Sequence, residues 1–188
     1  MKETEITVEV LSSTEELIDT LVAQDFKLLR EVNMNDYYIS KCSFEEIKKM
    51  PYSDIINNSF LVRELAGQKE LLFKKKNIVD GQVVSEEKIH CSIDNIDSAI
   101  KIFELSNLNI WCNLKQHMWI YGKDKIELAI QQVEGLGTFI EYEEDETMVG
   151  LTDNEKIQFM LNNLRNLNIK IGDDFNCKKV FLMLQKNL

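Results

Sequence analysis

Glu141 and Glu143 stand two apart in a run that reads as a strand over 138–144. Side chains alternate faces along a strand, so both carboxylates point the same way. Glu3, Glu5 and Glu9 share the polar face of a second run, 3–10, whose other face is Thr4, Ile6, Val8 and Val10. Carboxylates grouped in this way can hold a hard divalent cation through oxygen. Cationic groups recur with the same alternation elsewhere: Lys74 and Lys76 beside Glu70, Lys115 with His117, and Lys125 with Glu127 and Gln131. Lysine and arginine neutralise the charges of a polyphosphate. A cation held by carboxylates would polarise that polyphosphate for displacement at phosphorus.

Positioning these groups requires many strands. Alternation predicts strands over 3–10, 36–41, 59–65, 70–76, 82–93, 110–121, 125–133 and 138–144, with a hairpin around Asp80-Gly81. Helices are expected after Ser12-Ser13-Thr14 (Leu17, Ile18, Leu21, Val22) and at the Ser43-Phe44-Glu45-Glu46 capping box. Others are expected at 95–106 (Ile96, Ala99, Ile100, Phe103), 153–166 (Ile157, Met160, Leu161, Leu164) and 176–186. The chain, 1–188, reads as a single α+β domain whose strands suggest a closed or nearly closed barrel. Two readings of the charged faces stand side by side. They are solvated outer faces of half-exposed strands, or the barrel carries helices on its apolar outside and charge within.

Composition narrows the classes. Apolar residues make up 44% of the chain and charged residues 29%, which excludes a disordered or collagen-like chain. With 22 Lys and Arg against 32 Asp and Glu the net charge is −10, which argues against nucleic-acid or anionic-membrane binding. No apolar run is long enough to span a bilayer, and Met1-Lys2-Glu3-Thr4-Glu5 does not open a signal peptide. Cys42, Cys91, Cys112 and Cys177 lack metal-ligand spacing and suit reduced thiols in the cytoplasm. His90 and His117 likewise have no transition-metal spacing. Lys74-Lys75-Lys76 reads as a solvated strand end, and Glu143-Glu144-Asp145-Glu146 as a solvated loop. Trp111, Trp119 and Tyr121 share the alternation of Lys115 and His117. They fit packing under a helix or an aromatic wall for a ring.

In their order along the chain, several segments resemble the CYTH, or triphosphate tunnel metalloenzyme, superfamily, which includes class IV adenylyl cyclases, thiamine triphosphatases and inorganic triphosphatases. Glu3-Thr4-Glu5-Ile6-Thr7 is similar to its opening ExExK, and Asp36-Tyr37-Tyr38-Ile39 to its D-x-Y-F/L strand. Ser59-Phe60-Leu61-Val62-Arg63 resembles A-L-R-I-R, Leu71-Leu72-Phe73-Lys74 resembles L-T-Y/L-K, and Leu114-Lys115-Gln116-His117 resembles V-K-x-R. The strongest likeness is Ile130-Gln131-Gln132-Val133-Glu134-Gly135-Leu136-Gly137-Thr138-Phe139-Ile140-Glu141-Tyr142-Glu143, similar to L-D-x-V-x-G-L-G-x-F-x-E-I-E.

The resemblance implies an eight-stranded antiparallel β-barrel, a tunnel with a polar interior flanked by helices. It implies Mg²⁺ or Mn²⁺ at Glu3, Glu5, Glu141 and Glu143, and phosphate contacts from Arg63, Lys74, Lys115 and His117. The expected partner is a small molecule carrying a triphosphate, bound by a monomer or homodimer and attacked by water or, in a cyclase, by a ribose hydroxyl. Four positions depart from the pattern: Thr7 for lysine, Leu61 for arginine, His117 for arginine and Gln131 for aspartate. They remove up to three positive charges and one carboxylate. An active phosphohydrolase, a tunnel that binds a phosphorylated ligand or partner without turnover, and an interaction domain with no phosphate site are the readings these residues leave open.

Overall fold

The computed structural model describes residues 2–57, 59–79 and 82–186, with the side chains of residues 2, 3, 52, 53, 56, 78, 79, 82–84 and 86 outside the description. Nine strands form one antiparallel sheet: β1 (Lys2–Glu3), β2 (Glu5–Glu9), β3 (Lys27–Ser40), β4 (Phe60–Leu65), β5 (Gln68–Val79), β6 (Gln82–Ser92), β7 (Asn109–Lys123), β8 (Ile126–Val133) and β9 (Gly137–Glu143). Their order is β1-β6-β5-β4-β3-β7-β8-β9-β2. β1 and β2 are one run of chain broken at Thr4, so a single segment occupies both edges. Lys2 and Glu3 pair with Glu87 and Glu86 of β6, while Glu5 pairs with Glu143 of β9. The sheet therefore rolls into an antiparallel barrel of eight strand segments, the architecture expected from the alternation.

The apolar faces lie outside the barrel and the helices cover them. Ile6 and Val8 of β2, Leu128 and Ile130 of β8, and Ile140 and Tyr142 of β9 pack against Leu17 and Leu21 of α1 (Thr14–Ala23). Ile157, Met160, Leu161 and Leu164 of α5 (Asp153–Asn166) complete that layer. Each such side chain, fully buried, stabilises the fold by about 1.5–3 kcal/mol. Having satisfied one parity of the strands outside, the sheet presents the other parity inward. α4 (Ile96–Leu105) covers Ile39 and Val62 in the same way.

One end of the barrel is filled. Leu114, Val133 and Phe139, all of inward parity, pack with Ile47 of α2 (Phe44–Ile47), Ile55 of α3 (Tyr52–Asn57), and Val180 and Leu184 of α6 (Lys179–Lys186). The Ser43–Glu46 capping box is formed at α2, as its sequence predicts. Gly135 (φ +79°) and Gly137 (φ +143°) make the β8–β9 turn in backbone conformations that disfavour any side chain.

Several elements differ from their sequence reading. β3 begins at Lys27, nine residues before the expected Asp36; a register shift between Leu28 and Arg30 breaks the period-two signal there. Val22 is exposed, not part of the buried stripe of α1. α6 starts at Lys179 because 175–177 runs beside β2: Thr7 N–H donates to the Phe175 carbonyl (3.0 Å) and Cys177 N–H to the Thr7 carbonyl (2.9 Å). The acidic exit from β9 is not a merely solvated loop. Glu144 accepts from Thr4 N–H (3.0 Å) and from Lys156 Nζ (2.7 Å), tying the break between β1 and β2 to α5. The Asp80-Gly81 turn lies outside the described residues. Cys177 is buried, Cys42 and Cys112 are half-buried and Cys91 is exposed, all of them free thiols. Among the described residues no helix is long and apolar enough to cross a membrane.

Candidate functional site

A cavity of about 510 Å³ occupies the unfilled part of the barrel. Charged side chains line it around the N-terminal seam, Glu5 from β2, Lys74 and Lys76 from β5, Lys88 from β6, Glu141 and Glu143 from β9, and on the far side too, with Arg30 from β3 and Lys125 and Glu127 at the start of β8. Arg63 of β4 lies beside it, held by Asp36 of β3 through two parallel bonds, Nε to Oδ1 and Nη2 to Oδ2, each 2.7 Å. This bidentate geometry fixes the guanidinium plane. Burial would lower the Arg63 pKa, but Asp36 overrides it and keeps the group charged.

The remaining cations arrive from an unexpected direction. The segment beside β2 delivers Lys178 and Lys179 into the cavity next to Thr7. Where the family pattern has a lysine on the strand, this chain has Thr7, and two ammonium groups enter from the C-terminal segment. Lys179 Nζ donates to Gln131 Oε1 and to Glu141 Oε2, the latter at 3.1 Å. Gln131 thus accepts from an ammonium at the position where the pattern has an aspartate.

Glu5, Glu141 and Glu143 each place a carboxylate oxygen within 4.8 Å of the others. Three hard oxygen donors at this spacing fit a divalent cation such as Mg²⁺ or Mn²⁺. Each of the three also faces a lysine: Glu5 with Lys76 (3.4 Å), Glu141 with Lys179 (3.1 Å) and Glu143 with Lys88 (3.5 Å). Burial acting alone would raise the Glu5 pKa, but Lys76, Lys74 and Lys88 outweigh it and hold the carboxyl well below its usual range. Glu141 follows the same logic, with Lys179 dominant over burial. Burial pushes Lys76 down to about 7 against the opposing pull of Glu5, and Lys178 down to about 8. Lys74 is lowered by burial and then by Arg63. Anionic and cationic groups are thus interleaved, and a phosphate chain would exchange lysine–carboxylate contacts for lysine–phosphate ones.

Of the residues expected from sequence, the structure brings together Glu5, Glu141, Glu143, Arg63 and Lys74. The side chain of Glu3 lies outside the described residues. Lys115 and His117 are not brought to the cavity, and their expected placement is corrected. β7 turns Gln116, Met118 and Ile120 inward, with Leu114 seated in the apolar end, so the odd-numbered residues face out. A shift of one residue on a strand exchanges the faces completely. His117 instead bonds Asn33 Oδ1 (2.8 Å) and Glu31 Oε1 (2.7 Å) against the edge of Trp119, and Lys115 lines the same outer groove. Trp119 and Tyr121 pack in the helix-covered layer, as the plainer reading expects. Lys76, Lys88, Lys178 and Lys179 were missed as site residues. The parity shared with Lys74 points to Lys76, and cross-strand register opposite Lys74 places Lys88. No sequence pattern carries Lys178 and Lys179 to the tunnel.

No family model matches the chain, and no curated protein matches it in sequence. Solved structures do match. The PH1819 protein of Pyrococcus horikoshii superposes with a TM-score of 0.71 at 18% identity, over 98% of this chain and 99% of that one. HpAC1 from Hippeastrum, named as a candidate adenylyl cyclase and described as having a dominant triphosphatase activity, gives 0.66 at 14%, over 98% and 96%. A candidate adenylate cyclase of Vibrio parahaemolyticus gives 0.62 at 14%, over 98% and 97%. The chain has the fold of these proteins, an antiparallel barrel flanked by helices.

Proposed function

We propose that the tunnel binds a small molecule carrying a triphosphate and hydrolyses it with a divalent cation. The observation that carries this reading is the convergence of Arg63, Lys74, Lys76, Lys88, Lys178 and Lys179 on one cavity that also holds the Glu5–Glu141–Glu143 cluster. Mg²⁺ or Mn²⁺ bound by those three carboxylates would polarise phosphorus and stabilise charge on the phosphate oxygens. The chain's own part is to bind and orient. Arg63, locked by Asp36, presents a fixed fork to a phosphate oxygen, while Lys74 and Lys76 neutralise charge along the chain of phosphates in a water-poor wall. Preorganised groups of this kind commonly contribute about 10²–10³ each in rate. Nucleoside, thiamine and inorganic triphosphates fall within the reading, with a class IV adenylyl cyclase as its variant in which a ribose hydroxyl attacks. The free thiols support placing this activity in the cytoplasm.

Purified protein with Mg²⁺ or Mn²⁺ should release phosphate or pyrophosphate from at least one of these substrates, and Glu141→Gln should remove most of that activity. Absence of product from all of them would end the enzymatic reading. A second reading, a tunnel that binds without turnover, is favoured by one contact: Lys179 joins Gln131 to Glu141 where the pattern has a metal-facing aspartate. If it holds, restoring Lys at Thr7, Arg at Leu61 and Asp at Gln131 raises activity from a negligible level.

A further inference from the structure

Tyr38 of β3 lines the cavity, with its ring against the packed end of the barrel. The ring lies 5.5 Å from that of Trp111, tilted by 59°. Trp111 is held in turn: its Nε1 donates to Ser59 Oγ (3.2 Å), and Ser59 Oγ donates to the Ile55 carbonyl (2.7 Å). The phenol is therefore anchored at the floor of the cavity, within electrostatic reach of Asp36, Arg63 and Glu141. Among the described residues its hydroxyl makes no hydrogen bond, and its neighbours explain why. Both oxygens of Asp36 accept from Arg63, and Glu141 Oε2 accepts from Lys179. Leu61, directly opposite on β4, has no polar atom in its side chain. Burial, and then Asp36, raise the Tyr38 pKa well above the ordinary tyrosine value, so the hydroxyl keeps its proton and remains a donor.

We infer that Tyr38 is a phosphate-binding residue: its hydroxyl donates to a phosphate oxygen at the floor of the tunnel, in place of the cation that Leu61 does not supply. Across β3 and β4 the inward face consists of two facing pairs, Asp36 with Arg63 and Tyr38 with Leu61. The A-L-R-I-R pattern would put an arginine at both β4 positions; here the first is an apolar side chain facing a phenol. Arg63 already depresses the pKa of Lys74. A neutral donor adds a bond to phosphate without adding to that repulsion. This rests on the triphosphate reading and adds to it a contact that does not titrate with the lysines.

Tyr38→Phe keeps the ring on Trp111 and removes the donor alone. Calorimetry on the full chain with Mg²⁺ should show tripolyphosphate bound about tenfold more weakly, or worse, as for a lost hydrogen bond to a charged group. The factor should be the same on either side of neutral pH. Mn²⁺ affinity without phosphate should not change, which separates a contact to phosphate from support of Glu141. Adding Leu61→Arg to Tyr38→Phe should recover most of the lost affinity. On the unaltered chain, tripolyphosphate should produce the ultraviolet difference band of a tyrosine whose hydroxyl has gained an anionic acceptor. That band serves on its own should the variant not fold. Unchanged affinity in Tyr38→Phe, or no band in the unaltered chain, overturns this inference alone. So does a loss that comes with weaker Mn²⁺ binding, that varies with pH, or that Leu61→Arg leaves unrepaired. No binding of tripolyphosphate by the unaltered chain overturns the triphosphate reading, and this one with it.

Discussion

Lys179 competes with any metal for the same carboxylate. Its ammonium sits 3.1 Å from Glu141 and on the amide of Gln131. Removing a unit charge at that range changes the local field by several times thermal energy in a partly buried site. Lys179→Met is therefore expected to tighten Mn²⁺ binding at least about tenfold, or about 1.4 kcal/mol, read by electron paramagnetic resonance of free Mn²⁺. Unchanged affinity would show that the cation binds away from Glu141. A second expectation concerns pH. Burial brings Lys76 to about 7 and Lys178 to about 8. The protonated form binds the anion, so affinity for tripolyphosphate is greatest below about 7 and falls as pH rises through both values. A bound phosphate favours the charged lysine, so binding takes up protons near pH 8. Calorimetry in buffers of different ionisation enthalpy reads that uptake; its absence would place both lysines outside phosphate contact.

At the scale of elements, the site depends on α6 and the segment before it. Leu184 is 3% exposed and packs into the barrel's apolar end. Leu184→Ala should destabilise by about 2–5 kcal/mol. Its distinctive signature is hydrogen exchange: loss of protection in 175–186 before β7 and β8, accompanied by weaker tripolyphosphate binding as Lys178 and Lys179 leave the cavity. Uniform loss of protection would mean that α6 is no separate unit. These elements also mark what was legible in sequence. The alternation in β2, β8 and β9 is clean because each has one face under helices and one face in the tunnel, so Glu5, Glu141 and Glu143 could be read together. β7 misled because its inward face carries Leu114, Met118 and Ile120, which look like a packed face, while its outward face carries Lys115 and His117. Hydropathy alternation reports that a strand has two faces; it does not report which one is inside when the inside is a tunnel. Lys178 and Lys179 were illegible for a different reason. Their place is set by backbone bonds between Thr7 and 175–177, which leave no mark in side-chain pattern.

For the whole molecule, a strongly negative chain encloses a nearly balanced site. The chain carries −10, yet eight cationic side chains line the tunnel against seven anionic ones among the described residues. An approaching polyphosphate meets a repelling field at long range and an attracting one at contact. Salt screens the first strongly, since the screening length shortens from about 30 Å at 0.01 M to about 10 Å at 0.1 M. Stopped-flow association with tripolyphosphate should therefore quicken, not slow, as ionic strength rises over that range, while dissociation quickens too. Association that slows with salt would show that the mouth's local field governs encounter. A ligand at 100 times its dissociation constant should also raise stability by about 2.7 kcal/mol, visible in thermal unfolding.

The seam of the barrel has a temporal consequence. β2 pairs with β9, as in Glu5 with Glu143, and Thr7 then holds 175–177 on its other side. β2 is made well before the partners on either side of it. At about 5–20 residues per second on a ribosome, β2 is unpaired for roughly ten seconds before β9 emerges. The carboxylates and lysines of the tunnel meet only after that, so the candidate site is completed late. During translation a chaperone or a nascent-chain contact has its longest opportunity at the apolar face of β2.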